Sequence, residues 1–447
     1  MPSKTLQQVP GPQSKIKFEE EQNYIAAGLQ SIALSSQITV KHARGVRVTD
    51  LDDNSYIDVT AGIGVGSVGH CHPHYQKVMI EQIQKVTFGS FTTENRVEFL
   101  KILTSITPRG LNRAQLYSGG AEAVEAAFRM AKSVTKKFEF AGFWGGFHGK
   151  TGGVLGLLGD QSFKKDIGPF MPGMYSAGPY AYCYRCPLKL TYPDCSLACV
   201  DQFRTAIKTQ SQQQLAAIIV EPMQGTTGNV IPPKGFLKAV QEVAKEFDAL
   251  LIADEMLTGF GRTGKMWGVD HDEVIPDVMT LGKGIGGGFP LSAVISSQKN
   301  TSAKPFGNPS GSSSSYGGNP LASAAGRAAL EIIVKENLVE HSRKIGAIML
   351  DRLKTFQENS PVVGDVRGVG LLIGVELVKD KKTKEPLDKQ WTLKLFHECL
   401  KRGLIAMCYQ PNIRINPPLV ITESEAIEAV EILIESIQYI SKEIGVH

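Results

Sequence analysis

Long apolar runs are absent from this 447-residue chain. No stretch is long and apolar enough to cross a bilayer, which argues against a helical membrane protein. A strong charge bias is absent too, the net charge being +4, too slight to suggest nucleic acid or an anionic membrane as a partner. The first twenty residues, MPSKTLQQVPGPQSKIKFEE, have neither the apolar centre of a secretory signal nor the arginine bias of a transit peptide, and read as a polar tail. Cysteine is scarce, with seven residues; an odd number without an export signal points to a reducing compartment, and the cytoplasm is expected. No repeat of fixed period and no low-complexity block interrupts the chain.

What is present is an ordinary enzyme-like composition, 42% hydrophobic and 21% charged, on a chain long enough for a large core and two or more subdomains. Helical and strand patterns alternate. Glu19 to Leu34 reads as a helix, and Val46 to Val59 as two strands across an Asp-Asn-Ser turn. The glycine-rich Gly62 to Gly66 leads to Gly69-His70-Cys71-His72-Pro73-His74. That spacing fits no usual zinc pattern, so it is expected to be a loop feeding a helix from Tyr75 to Val86. From about Leu330 the pattern is helix, a hairpin from Val366 to Val378, helix, a strand at Ile413 to Ile415 and a last helix. The last helix opens on the capping box Thr422-Glu423-Ser424-Glu425, with an apolar stripe at Ile427, Val430, Ile434 and Ile437. The expected division is residues 1–70 as tail and part of a small domain, 71–325 as a large domain, and 326–447 as the rest of the small α+β domain.

Chemistry concentrates in Leu250 to Ser296. Leu250-Leu251-Ile252-Ala253 and Val278-Met279 are apolar without period, as in strands buried on both faces. The first ends at Asp254; Lys283 follows the second within a glycine-rich turn. Ligands of open α/β sheets bind outside the carboxyl ends of the strands, so the expected ligand wants an amine and a carboxylate. Pyridoxal phosphate is such a ligand, because its aldehyde condenses with a lysine and its ring nitrogen needs an acid. Ser118-Gly119-Gly120-Ala121 opens a helix running to about Val134, suited to a phosphate or simply to a tight turn. Phe143 to Thr151 mixes aromatics with glycines, either to cover a planar cofactor or to fill the core. Ala216 to Val220 reads as a buried strand ending at Glu221. The serine-rich Gly311 to Pro320 is a flexible linker by composition, or an ordered turn. Cys183, Cys186, Cys195 and Cys199 have the paired spacings of metal ligands, with packing thiols or a disulfide as alternatives.

SGGAEAVEAA, GGFHGKT, VEPMQG, IADEMLTGFGRTG, the GKG lysine, SSYGGNPLASAA, VRGVGLLIGVELV and RINPPLV together resemble, in order, the motif set of class III (ornithine-type) aminotransferases, which are fold-type I pyridoxal-phosphate enzymes. The resemblance runs from about Val46 to the C-terminus. It implies an α/β large domain with a mostly parallel sheet flanked by helices, and a smaller α+β domain built from both termini. It implies that Lys283 carries the cofactor as a Schiff base and that Asp254 bonds the pyridine nitrogen. Gly119, Gly120 and Ala121 would form the phosphate cup, Phe147 would stack on the ring and His148 would stand beside it. Ser315 would reach the phosphate of a partner subunit, which implies a homodimer, and Arg414 would hold the substrate carboxylate. The implied reaction moves an amino group between an amino acid or amine and a 2-oxo acid.

Three positions depart from the family's pattern. Gly119 replaces Ser or Thr, Leu257 replaces Gln, and Thr226 stands where glutamate-using ω-aminotransferases have a Glu paired to the residue matching Arg414. Without that Glu, Arg414 is expected to meet α-carboxylates directly, which favours α-amino and α-keto acids; an ω-amine donor with pyruvate remains compatible. The alternative activities on this scaffold are an amino-acid racemase or epimerase and a dialkylglycine-type decarboxylase.

Overall fold

The computed structural model describes Leu6 and residues 8–445. The chain forms two compact units: His74–Val339, and the chain up to Pro73 together with that from Glu340 onward. Among the described residues no helix is long and apolar enough to cross a membrane.

The second of these carries, toward its N-terminal end, strands β1 (Val40–Arg44), β2 (Arg47–Asp50) and β3 (Ser55–Asp58). The turn between β2 and β3 is held by Asp50, whose Oδ1 accepts the N–H groups of Asp52 and Asn54, each at 2.9 Å. A continuous helix over Glu19 to Leu34 does not form. Helices instead occupy Pro12–Glu21 and Ser31–Ser36. Asn23 Nδ2 donates to the carbonyls of Glu19 and Glu20 at 3.4 and 3.3 Å and so competes with the helix for its last acceptors. Of the expected polar tail, residues 1–5 and 7 lie outside the described residues, and the part from Pro12 is helical rather than tail.

The His74–Val339 unit is built on a seven-stranded sheet. Its strands are β4 (Arg113–Tyr117), β5 (Glu139–Phe143), β6 (Met174–Gly178), β7 (Leu215–Val220), β8 (Leu250–Asp254), β9 (Val278–Leu281) and β10 (Ser292–Ser296). The order is β4-β10-β9-β8-β7-β5-β6. Only β10 runs against its neighbours, so the sheet is mostly parallel. All of β5, β7, β9 and β10 is buried, as the period-free apolar runs require. The Gly120–Thr135 helix lays Ala123, Val124, Ala127, Phe128 and Met130 into this core. Small alanines let that helix approach the sheet closely.

The other unit closes with β11 (Val363–Val369), β12 (Leu372–Asp380), β13 (Glu385–Pro386), β14 (Leu404–Ile405) and β15 (Asn412–Ile415). β14 pairs in parallel with β3, which is how the two ends of the chain share one unit. The last helix, Glu423–Ile444, is capped by Thr422, whose Oγ1 accepts the Glu425 N–H at 3.3 Å. Its buried face is Ala426, Val430, Leu433, Ile437 and Ile440. Ile427 and Ile434 lie half-buried at its margin, so the true stripe is rotated slightly from the expected one.

Candidate active site

Within the His74–Val339 unit, parallel pairing sets Asp254, the last residue of β8, opposite Thr280 on β9. Lys283 follows β9 after a single intervening residue beyond Leu281 and opens the 3-10 turn Lys283–Gly286. The two residues therefore leave the same end of adjacent strands. Lys283 has φ +46°, a left-handed conformation that costs a side-chain-bearing residue free energy and tends to mark functional turns. Just before it, a methyl group at Gly282 would come 2.4 Å from Met256 Sδ, and one at Gly120 would come 3.2 Å from the same sulfur. Met256 thus fills the space between the lysine turn and the start of the Gly120–Thr135 helix. Ser292 Oγ adds a tie, donating to the Gly119 carbonyl at 2.8 Å.

Asp254 is 2% exposed, and its Oδ2 lies 2.7 Å from His148 Nδ1. Glu221 stands close behind, buried at the end of β7. Burial opposes the charged imidazole, but the hydrogen bond and charge of Asp254, with Glu221 adding to them, raise the pKa of His148. Burial raises the pKa of Glu221; His148 opposes that rise and Asp254 adds to it. A dry cluster of two acids and one imidazole favours a further positive partner. Glu221 also shapes the turn after β5, accepting the N–H groups of Phe147 at 2.9 Å and Gly225 at 3.1 Å. Gln224 and Thr227 bind the same turn by donating to the carbonyls of Trp144 and Gly145.

That turn separates two aromatic roles left open by the sequence. Phe143 is core, stacked on Phe203 with centroids 4.1 Å apart, whereas Phe147 is half-buried with its edge toward Phe163. At the helix start, the N–H groups of Ser118 and Gly119 donate to Glu122 Oε2 at 3.1 and 2.7 Å. The Gly119 N–H is therefore committed to its own helix. Those of Gly120 and Ala121 belong to the first turn, where the helix offers no acceptor, and they aim the positive end of the dipole outward.

The remaining expected residues stand on other elements. Ser315 is exposed and lines an open cleft of ≈ 450 Å³ with Tyr117, Glu122, Glu125, Arg129 and Thr151. The serine-rich stretch is an ordered turn rather than a linker, since Tyr117 Oη donates to the Ser312 carbonyl at 2.9 Å and Asn319 Oδ1 accepts the Ala322 N–H at 3.0 Å. Thr226 is exposed after β7. Arg414 is half-buried on β15 of the other unit. His70 lies 3.5 Å from Asp58, and His74 lies 2.6 Å from Glu331. Cys183, Cys186, Cys195 and Cys199 line one small cavity with Tyr180 and Tyr182, and all are thiols. Among the described residues no group of three or more His, Cys, Asp or Glu is arranged to hold a metal ion.

Sequence reasoning missed Glu255, which is fully buried and accepts the N–H groups of Gly268 and Val269 at 2.9 and 2.8 Å and the hydroxyl of Thr258. Burial outweighs those donors and pushes its pKa up to about 7. Its place beside Asp254 in the ADE run was the available signal. The profile of the aminotransferase class III family matches residues 31–437. This chain belongs to the class III aminotransferases. It is 35% identical to the acetylornithine aminotransferase of Methanothermobacter thermautotrophicus over 89% of this chain and 93% of that one. It is 34% identical to the human mitochondrial alanine–glyoxylate aminotransferase 2 over 86% and 78%, and 33% identical to the 4-aminobutyrate aminotransferase of Mycobacterium leprae over 95% and 96%. A Bacillus anthracis aminotransferase structure superposes with TM-score 0.88 at 28% identity, covering 97% of this chain and all of that one. An amine transaminase from an uncultivated Pseudomonas species in its pyridoxal-phosphate-bound form superposes with TM-score 0.86 at 28% identity, covering 93% and 98%. The class III aminotransferase is accordingly a fold-type I, pyridoxal-phosphate-dependent enzyme that exchanges amino groups with 2-oxo acids. Its residues fit the cofactor: two helix-start N–H groups for a phosphate, a buried carboxylate for a ring nitrogen, a lysine for an aldehyde.

Proposed function

We propose that this aminotransferase works between α-amino acids and 2-oxo acids, with Lys283 and Asp254 as the residues that meet the reactive ends of the cofactor. The observation carrying this is the buried Asp254–His148 pair at the end of β8 beside the left-handed Lys283 at the end of β9. Bound pyridoxal phosphate supplies an aldehyde that condenses with amines and a protonated ring that accepts the electron pair released when a bond to the amine-bearing carbon breaks.

Asp254, held in place by His148 Nδ1 at 2.7 Å, would face the ring nitrogen and hold the proton there. His148, with its raised pKa, fixes the direction in which Asp254 points. Lys283 holds the cofactor between turnovers and, as a free amine during them, carries a proton between the substrate carbon and the cofactor carbon. Gly120 and Ala121 bind the phosphate, and Phe147 covers the ring. Arg414 takes the substrate carboxylate, for which its planar fork is suited. The uncharged Thr226 leaves that arginine without the family's acidic gate, which is the reason for favouring α-amino acids although the relatives include a 4-aminobutyrate aminotransferase.

The enzyme works as a homodimer in which Ser315 reaches the partner's phosphate. Support comes from the exposure of Ser315 and of large aromatics in the same unit, Phe88 at 81%, Phe91 at 88% and Tyr316 at 73%, more than single scattered side chains lead one to expect. Seven free thiols suit the cytoplasm. Mixing holoenzyme with a panel of amines and amino acids tests the reading. Stoichiometric 2-oxo acid from α-amino donors supports it; loss of optical activity without 2-oxo acid means racemisation, and carbon dioxide release means decarboxylation.

A further inference from the structure

The chain that leaves Phe147 and His148 runs from Gly149 to Val154 against the helix that starts at Gly120. Gly149 has φ +119°, and a methyl group there would come 2.5 Å from the Cβ of Ala121, so the loop meets the helix start with no room for a side chain. One turn further along that helix, Glu125 Oε1 accepts the hydroxyl of Thr151 and, at 3.1 Å, the N–H of Gly153. Val154 is then buried in the core that also holds Ala123, Val124 and Ala127 of the same helix. At its other end the loop is fixed by the Phe147 N–H, which donates to Glu221 at 2.9 Å. Between these two anchors Lys150, Thr151 and Gly152 are exposed. Glu125 ties down a stretch that burial does not.

We infer that Glu125 is a positioning residue for the cofactor: it clasps the loop bearing Phe147 and His148 onto the helix whose first turn takes the phosphate. The inference rests on the reading that Gly120 and Ala121 meet the phosphate and Phe147 the ring. A ligand held at both ends is bound better when its two holders already stand at a fixed separation, because that ordering is complete before the ligand arrives. Glu125 lies on the helix itself, so the clasp sets the ring cover directly against the phosphate end. Both donors meet one oxygen, Oε1, so the side chain serves as an acceptor and its charge is secondary. With the acceptor gone, the Thr151 hydroxyl and the Gly153 N–H turn to water, and the ring cover and the phosphate turn are free to move apart.

The test uses holoenzyme and two readouts besides turnover: the rate at which pyridoxal phosphate is lost on dialysis, and the visible circular dichroism per bound cofactor, which reports how the ring is held. Glu125→Ala should speed cofactor loss roughly tenfold, the scale of a lost hydrogen bond to a charged group, and weaken the dichroism. It should lower kcat by about three- to tenfold with KM for the donor within about twofold. Glu125→Gln keeps an acceptor oxygen and should bring cofactor loss and kcat back to within about twofold of wild type. Thr151→Val should act in the same direction as Glu125→Ala and add nothing to it, since both open one clasp. A merely structural role would lower the melting temperature while the bound cofactor kept its wild-type dichroism and rate of loss; that result overturns the inference, as does a Glu125→Gln variant no better than Glu125→Ala. Should Glu125→Ala fail to fold, Thr151→Val and Thr151→Ser decide alone: the first must hasten cofactor loss and the second must not, and equal rates in both refute it. Phe147→Leu in parallel separates the two readings. If it leaves dichroism and cofactor loss unchanged, the role of Phe147 is wrong; if it alters them while the Glu125 and Thr151 variants do not, only the role of Glu125 is wrong.

Discussion

Two charge clusters, one in each unit, handle buried charge in opposite ways. Around Asp254 one buried carboxylate is hydrogen-bonded to an imidazole while burial pushes the second, Glu221, toward its neutral form. Around Arg367 two carboxylates meet a guanidinium beside a second arginine in the same row, and the balance closes within the sheet. The first leans on one imidazole and on burial, the second on a guanidinium that meets two carboxylates at once. Buried charge alone therefore does not mark a candidate site; its place at the carboxyl ends of parallel strands does.

The largest way to sharpen this contrast is Lys283→Ala, which leaves the Asp254 cluster intact. Turnover should fall by roughly 10²–10⁴-fold or more, the scale of a lost proton-transfer group, while equilibrium dialysis should still find bound pyridoxal phosphate. Near-normal turnover would remove Lys283 from the reaction. Asp254→Ala breaks the cluster itself. With His148 left to face Glu221, exchange of the α-hydrogen of a donor for deuterium should slow by on the order of 10²-fold, and the cofactor should dissociate more readily. Wild-type exchange would contradict the assignment.

On the balanced side, Arg414→Ala should cost roughly 2–4 kcal/mol in kcat/KM for amino and 2-oxo acids, with far less effect on amines. Thr226→Glu should shift preference from α-amino acids toward ω-amino acids of similar length. Identical ratios in both variants would argue against any role of Arg414 in substrate choice. Glu255 offers a pH test. Its pKa in the folded chain, about 7, lies above the ordinary 4.5, so the folded state holds that proton more tightly than the unfolded state. Its contribution is fully present below about 4.5 and lost as pH rises through about 7, a change of roughly 3 kcal/mol. The stability difference between wild type and Glu255→Gln, from denaturant melts, should narrow from pH 5 to pH 8. A difference independent of pH would show that Glu255 does not titrate there. The smallest effect should follow Cys186→Ser. Burial and neighbouring thiols raise the pKa of Cys199 to about 11, as expected of packing thiols. Stability should change by about 0.5 kcal/mol or less, with well under one zinc or iron per chain by elemental analysis; a stoichiometric metal lost on substitution would reverse that reading.

The sheet was legible in the sequence wherever strands are buried on both faces, because an apolar run such as Leu215 to Val220 has few other uses. Lys283, Asp254 and the Gly120 helix start were legible for the same reason, sitting where such runs stop. Side chains that act on backbone groups were not. Glu122, Glu221 and Glu255 accept N–H groups of the surrounding backbone, and nothing in a side-chain pattern announces an acceptor of that kind. The relation of Arg367 to Arg414 needed strand register, because β11 and β15 are neighbours only through β12. The N-terminal helix was misplaced because the termination by Asn23 is a local hydrogen-bond effect, invisible to a count of apolar spacing.

β10 lies between β4 and β9, and β4, at the sheet edge, pairs with β10 alone. On a ribosome the turn after β4, proposed to bind the phosphate, therefore emerges long before the strand that anchors it, and Lys283 is itself made before that strand. Chains truncated before β10 should therefore lack the strand that fixes the turn after β4 to the rest of the sheet, and should retain pyridoxal phosphate less well than the full chain in equilibrium dialysis.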